Sequence, residues 1–279
     1  MEQQGKVRIT DFAAMKSARS PITMLTAYDA PFARIFDEAG VDALLVGDSV
    51  AMAVQGADST LPVTVDEILY HTRIVARARK RALLIADMPF LSYQVSAEDA
   101  LRNAGRMLKE GGAEAVKLEG GLAMADTVAR LTQVDIPVMG HIGLTPQSIH
   151  RMGGHRVQGQ REGSAPGCRQ RLIDDATALE RAGAFAIVLE GIPAPLAREI
   201  TAMLTVPTIG IGAGADCDGQ VLVMHDMLGL TSGFRPRFAK PYANLWQDAS
   251  AATLAYLREV REHAFPGPEH SYGLKGKRA

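Results

Sequence analysis

Eight short apolar runs punctuate this chain, and nothing else in the sequence limits its fold as strongly. They read PITMLTAYD (21–29), DALLVGDS (42–49), ALLIADMP (82–89), AEAVKLEG (113–120), IPVMGHIG (136–143), AFAIVLEG (184–191), VPTIGIGAG (206–214) and QVLVMHDM (220–227). Most are bounded by Gly, Pro or Asp, and each tends to close on a polar residue or a glycine. Strands of a parallel sheet read this way because both of their faces are covered, so no polar alternation survives.

Helical patterns separate most of the runs. Residues 32–39 keep their apolar side chains on one face and stop at Gly40, and 96–109 open with the capping-box-like SAED and stop at Gly111 and Gly112. Residues 174–182 and 194–204 have the same spacing, with Pro207 following the second. Strands alternating with helices specify an α/β protein, and eight such units within 279 residues match a closed (β/α)8 TIM barrel. A doubly wound open sheet is the alternative. An extra helix is expected over 8–19, a helical extension over 242–263, and a mobile tail over 271–279. The whole chain, 1–279, reads as one catalytic domain with its core at about 21–265.

Two connections exceed a simple turn, 50–64 and 144–170. The second carries GLTPQSIHRMGGHRVQGQREGSAPG. Loops of this length in a compact domain are lids or binding loops, or else disordered insertions.

Composition removes several classes of function. With 30 basic and 31 acidic side chains there is no basic surface for a nucleic acid. Cys168 and Cys217 lie far apart and form no CxxC or Cys/His cluster, so they read as reduced thiols. No signal-like or membrane-spanning apolar stretch is present, which points to the cytoplasm.

In a barrel the chemistry gathers where strands end. The polar residues there are Asp48 and Ser49, Asp87, Lys117 and Glu119, His141, Glu190, and His225 with Asp226. Carboxylates converging on one rim repel one another unless a cation intervenes, and two aspartates with one glutamate suit Mg²⁺ or Mn²⁺ better than zinc. Lys117 and Glu119 are two apart on one strand and so share a face, which sets an ammonium beside the acidic cluster.

Each residue also has a purely structural explanation. Asp48 and Asp87 could cap helices, Lys117 and Glu119 could form an ion pair, and Glu190 could sit in solvent. His141 could be a hydrogen-bonded core residue, and His225–Asp226 could close the last turn of the barrel. The run GIGAG (210–214) lacks the GxGxxG context of a nucleotide site, and close backbone packing explains it better.

Taken in order, TAYD (26–29), LLVGDS (44–49), QGADSTLPVT (55–64), ADMPF (86–90), VKLEGG (116–121), GHIGLTPQS (140–148), GIGAG (210–214), VMHDMLGL (223–230) and FAKPY (238–242) resemble the ketopantoate hydroxymethyltransferase family. The likeness runs from about 22 to 269. It implies that Asp48, Asp87 and Glu119 hold Mg²⁺, that Asp48, Ser49, Asp87 and Lys117 contact the keto acid, and that Glu190 accepts a proton; apart from the resemblance, His141, at the end of the neighbouring strand, is the next candidate for that role. It also implies 5,10-methylenetetrahydrofolate as co-substrate and a homo-oligomer, commonly a decamer of two five-membered rings. The stretch HRVQGQREGSAPG is longer than in typical relatives, Gln160 stands where a basic residue is expected, and GLKGKRA is an unmatched tail.

The implied reaction transfers a hydroxymethyl unit to 3-methyl-2-oxobutanoate through a Mg²⁺-stabilised enolate, giving 2-dehydropantoate on the route to pantothenate. The alternative is another Mg²⁺-dependent lyase or mutase of 2-oxo acids, of the isocitrate lyase or phosphoenolpyruvate mutase type. The KKCGH motif of the isocitrate lyases is absent. A catalytically dead metabolite-binding barrel would have lost a metal ligand, and none of the three is missing.

Overall fold

The computed structural model describes residues 5–231, 233 and 236–272. It divides into two compact units, Met1–Met224 and His225–Ala279.

The first unit is a closed barrel of eight parallel strands in sequence order: β1 (Ile22–Thr26), β2 (Ala43–Val46), β3 (Leu83–Asp87), β4 (Ala115–Glu119), β5 (Val138–Gly143), β6 (Ala186–Glu190), β7 (Thr208–Ile211) and β8 (Gly219–Leu222). Strand β8 closes the ring by pairing with β1, Met24 opposite Val221. The (β/α)8 architecture expected from the eight apolar runs is therefore present. Only the last run differs, since its second half coils into the short helix Met224–Met227.

Around the barrel lie α1 (Ile9–Ala18), α2 (Ala30–Ala39), α3 (Val50–Ala53), α4 (Val65–Ala78), α5 (Ala97–Lys109), α6 (Ala125–Thr132), α7 (Ile149–Met152), α8 (Arg169–Arg181) and α9 (Ala194–Met203). Local chemistry sets their ends. Asp29 caps α2 by accepting from the Phe32 N–H, and Gly40 ends it at φ 93°. Thr64 and Glu67 form a reciprocal capping box at the start of α4, and Ser96 accepts from the Asp99 N–H to begin α5.

Side-chain parity explains how the barrel presents its chemistry. The interior cluster takes every second residue: Leu83 and Ile85 from β3, Ala115 from β4, Met139 from β5, Ala186 and Val188 from β6. Two residues further along those strands come Asp87, Lys117 and then Glu119, His141, and Glu190. The apolar filling thus gives way to charge at the C-terminal ends of four adjacent strands. At the opposite end, Phe12 of α1 is fully buried and packs edge-on to Phe185 with ring centroids 5.6 Å apart. That burial stabilises the closed end by about 1.5–3 kcal/mol.

The second unit contains the helix α11 (Leu245–Arg261), which follows the short α10 (Met224–Met227). No described helix is long and apolar enough to cross a membrane. Both cysteines are free thiols. The tail expected over 271–279 lies, past Tyr272, outside the described residues.

Candidate active site

Lys117 is the centre of the charged rim. Its ammonium donates to both oxygens of Asp87 at 2.8 Å, and both side chains are almost fully buried. Burial is the strongest influence on Lys117 and pulls its pKa down, yet Asp87, Glu119 and Asp48 together outweigh it and hold the pKa above that of a free lysine. The group therefore stays charged.

Asp48 sits on the turn after β2, where its own N–H donates to Asp87 Oδ2 at 3.1 Å. Burial, and then repulsion from Asp87 and Glu119, push its carboxyl well above the usual carboxylate range. Negative charge is in excess here, and the local cations do not fully offset it. Ser49 follows at the mouth of the barrel, within 2.8 Å of the Tyr28 hydroxyl.

Strand β5 inserts His141 between two carboxylates. Its Nδ1 lies 3.4 Å from Glu119 Oε1 and its Nε2 lies 3.2 Å from Glu190 Oε2, although neither contact meets hydrogen-bond angles. Burial and Lys117 depress the imidazole, but Glu119 and Glu190 overcome both and push it up to about 9. At neutral pH it is an imidazolium bridging the two acids. Glu190 is the least enclosed of these charged residues, with 14 % of its side chain exposed. Gly143 permits the close approach of the backbone that fixes Glu190: it adopts φ 97°, and a Cβ there would lie 2.2 Å from the Glu190 carbonyl. The next N–H, that of Leu144, donates to that carbonyl at 2.7 Å.

Sequence reasoning missed two residues, Gln147 and Tyr93. The Gln147 amide donates to Asp48 Oδ2 at 2.9 Å and to the Met88 carbonyl at 3.0 Å, while its backbone N–H donates to Glu119 Oε2 at 3.0 Å. The Tyr93 hydroxyl lies 2.7 Å from Gln147 Oε1 and 3.1 Å from the Glu119 N–H. The motif GHIGLTPQS holds Gln147 but gives it no orientation, and Tyr93 lies in none of the motifs.

The structure thus brings Asp48, Asp87, Lys117, Glu119, His141 and Glu190 together, with Ser49 at the edge. His225 and Asp226 belong to the second unit, where Asp226 accepts from the Thr231 hydroxyl at 3.2 Å. In GIGAG, a Cβ on Gly214 would meet Ala194 at 2.5 Å and one on Gly210 would meet Cys217 at 2.9 Å, so close packing accounts for these glycines. Among the described residues no three His, Cys, Asp or Glu side chains stand close enough to cage a metal ion. Lys117 engages both oxygens of Asp87 and Gln147 engages one of Asp48, which holds these carboxylates in separate contacts.

A family model described as ketopantoate hydroxymethyltransferase matches residues 6–268. The chain belongs to the ketopantoate hydroxymethyltransferase family. Among its relatives, 3-methyl-2-oxobutanoate hydroxymethyltransferase of Pelobacter propionicus is 58 % identical over 97 % of this chain and 99 % of its own length. The enzyme of the same name from Moorella thermoacetica is 56 % identical over 98 % of this chain and 100 % of its own. This member of the ketopantoate hydroxymethyltransferase family is accordingly an enzyme, a hydroxymethyltransferase, and the family name places it in pantothenate biosynthesis.

Solved structures share the fold at low identity. Phosphonopyruvate hydrolase in complex with oxalate and Mg²⁺ aligns with a TM-score of 0.60 at 14 % identity, over 95 % of this chain and 93 % of that one. The 2,3-dimethylmalate lyase of the phosphoenolpyruvate mutase/isocitrate lyase superfamily aligns with a TM-score of 0.58 at 16 % identity, over 95 % and 92 %.

Proposed function

We propose that this chain transfers a hydroxymethyl unit from 5,10-methylenetetrahydrofolate to 3-methyl-2-oxobutanoate, giving 2-dehydropantoate, with Mg²⁺ held by Asp48, Asp87 and Glu119. The observation that carries this reading is the buried Lys117–Asp87 pair at the ends of the same run of adjacent strands that ends in Glu119, His141 and Glu190.

The residues suit a hard dication by donor type, with water completing a shell that the three side chains do not close by themselves. All three donors are carboxylates, Glu119 Oε1 is buried without a hydrogen-bond partner, and the raised Asp48 carboxyl marks negative charge that its surroundings do not neutralise. When bound, the cation would supply positive charge to the carboxylate and keto oxygens of a 2-oxo acid, an effect of several kcal/mol on charge developing there.

The protein's own groups complete the chemistry. Lys117 adds an ammonium near the same oxygens and assists Ser49 in orienting the substrate. Glu190 accepts the proton of carbon 3, and the electron pair of that C–H bond becomes the new C–C bond to the one-carbon unit. Water supplies the hydroxyl oxygen, the C–N bonds to the folate break, and tetrahydrofolate leaves with the protons. His141, with Nε2 3.2 Å from Glu190 Oε2, positions the base for the transfer.

The same reading includes a homo-oligomer, commonly a decamer in this family, acting in the cytoplasm. Trp246, Leu254 and Tyr256 of α11 are more than half exposed in the single chain, which is consistent with an interface between copies. Sedimentation velocity tests the assembly. Product analysis after mixing the protein with Mg²⁺, the keto acid and methylenetetrahydrofolate tests the activity: 2-dehydropantoate is expected, and its absence from folded protein rejects the assignment.

A further inference from the structure

Two adjoining hollows lie under the loop 144–170. The inner one, of about 400 Å³, is lined by Glu119 and Gln147 on the side of the charged rim and by Phe90, Met124, Ile142 and Leu172 elsewhere. The outer one, of about 570 Å³, is lined by Arg151, Arg156 and Arg161 with Gln160 between the last two. Arg151, Met152, Gln158, Pro166 and Gly167 line both, so the hollows are continuous. A molecule lying along them would have one end at Glu119 and the other among guanidinium groups.

The arginines of the outer hollow differ from their neighbours. Arg169 is paired with Glu199, Arg171 with Asp175 and Arg198 with Asp216. Among the described residues, Arg151, Arg156 and Arg161 have no carboxylate partner. Three unpaired guanidinium groups around one hollow repel one another, and they are pre-arranged for a ligand that carries several separate carboxylates. The inner hollow asks for the opposite chemistry, a largely apolar, flat body.

We propose that the outer hollow is the subsite for the acidic tail of the one-carbon donor, with Arg151, Arg156 and Arg161 pairing with successive carboxylates. Resting on the proposed function above, this makes the chain sensitive to the number of γ-linked glutamates on the folate. The pterin body occupies the inner hollow, which brings its one-carbon unit to the rim near Glu119. Each added glutamate extends the tail and contributes one more carboxylate to the outer hollow.

Steady-state rates with monoglutamyl and pentaglutamyl 5,10-methylenetetrahydrofolate, at saturating keto acid and low salt, test the proposal. The pentaglutamyl donor should have a KM lower by on the order of tenfold, the combined effect of a few partly exposed charge pairs. High salt should erase most of that difference, because such pairs are screened. In the double variant Arg156→Gln, Arg161→Gln the ratio of the two KM values should fall towards one. All three arginines are exposed, so the fold should be unaffected, and a melting curve checks that.

A ratio of one in the parent, or an undiminished ratio in the double variant, overturns the proposal. Direct titration with a free γ-glutamyl pentapeptide separates it from the activity assignment. Salt-sensitive binding that the double variant loses supports the tail subsite even if neither donor turns over. Absence of binding by the parent rejects it even if both donors do.

Discussion

The side-chain amide of Gln147 donates to Asp48 Oδ2 at 2.9 Å, a contact across 99 residues of sequence that joins the loop after β5 to the turn after β2. Because the Gln147 backbone N–H also holds Glu119 Oε2, one residue sets the spacing of two acidic groups. Gln147→Ala should therefore lower kcat/KM by about 10–100-fold, the usual effect of removing a group that orients a metal-binding carboxylate. Mg²⁺ affinity, measured by calorimetry, should fall with it, while Gln147→Glu should be worse because it sets a further negative charge against Asp48. Unchanged Mg²⁺ affinity in Gln147→Ala would show that the amide only fills space.

Replacing Lys117 tests whether the buried pair is purely structural. Lys117→Met leaves the Asp87 carboxylate buried without its cation, a change that costs about 3–5 kcal/mol in comparable sites. The melting temperature should drop, and Mg²⁺ should restore more stability to the variant than it adds to the parent, since a dication can substitute for the lost charge. Affinity for 3-methyl-2-oxobutanoate should fall as well. If stability falls but the folded fraction binds the keto acid as the parent does, Lys117 acts only as a partner of Asp87.

One contribution to acid stability lies away from the site. Glu180 accepts from the Thr205 N–H at 2.6 Å, the Thr205 hydroxyl at 2.7 Å and the Val206 N–H at 3.2 Å. Burial, the largest influence, raises its pKa, but these hydrogen bonds together outweigh it and hold the carboxyl below the usual glutamate range. A pKa lower in the folded than in the unfolded chain contributes stability that is complete above the unfolded value of about 4.3 and is lost as pH falls through the folded value. The parent should therefore melt above Glu180→Gln near neutrality, with the gap closing below that range. A gap that persists into strong acid would contradict the linkage.

The barrel was legible because strands covered on both faces leave unbroken apolar runs, and parity along them put Lys117 and Glu119 on one face in advance. Helix ends were legible where a cap was present, as at Gly40 and Ser96. Helix α4 was less legible although Thr64 and Glu67 carry its capping box, because its cap residue is the last residue of the long 50–64 connection. Helix α8 begins at Arg169, ahead of the expected 174, because Arg169, Gln170 and Arg171 offer no apolar periodicity. Gln147 was invisible for a different reason. A loop amide gains its role from contacts with Asp48, Met88 and Tyr93, none of which is near it in sequence.

Deuterium exchange at carbon 3 of 3-methyl-2-oxobutanoate, in D₂O with Mg²⁺ and without folate, tests the central claim most directly. In the proposed mechanism proton removal needs only the bound keto acid, the cation and Glu190, so it can be followed by itself by NMR. The parent should exchange that hydrogen, and Glu190→Gln should slow exchange by about 10²–10⁴-fold, the usual contribution of a general base, with keto-acid binding largely kept. Exchange as fast in Glu190→Gln as in the parent would contradict the account, since the proton would then be accepted by a group other than Glu190.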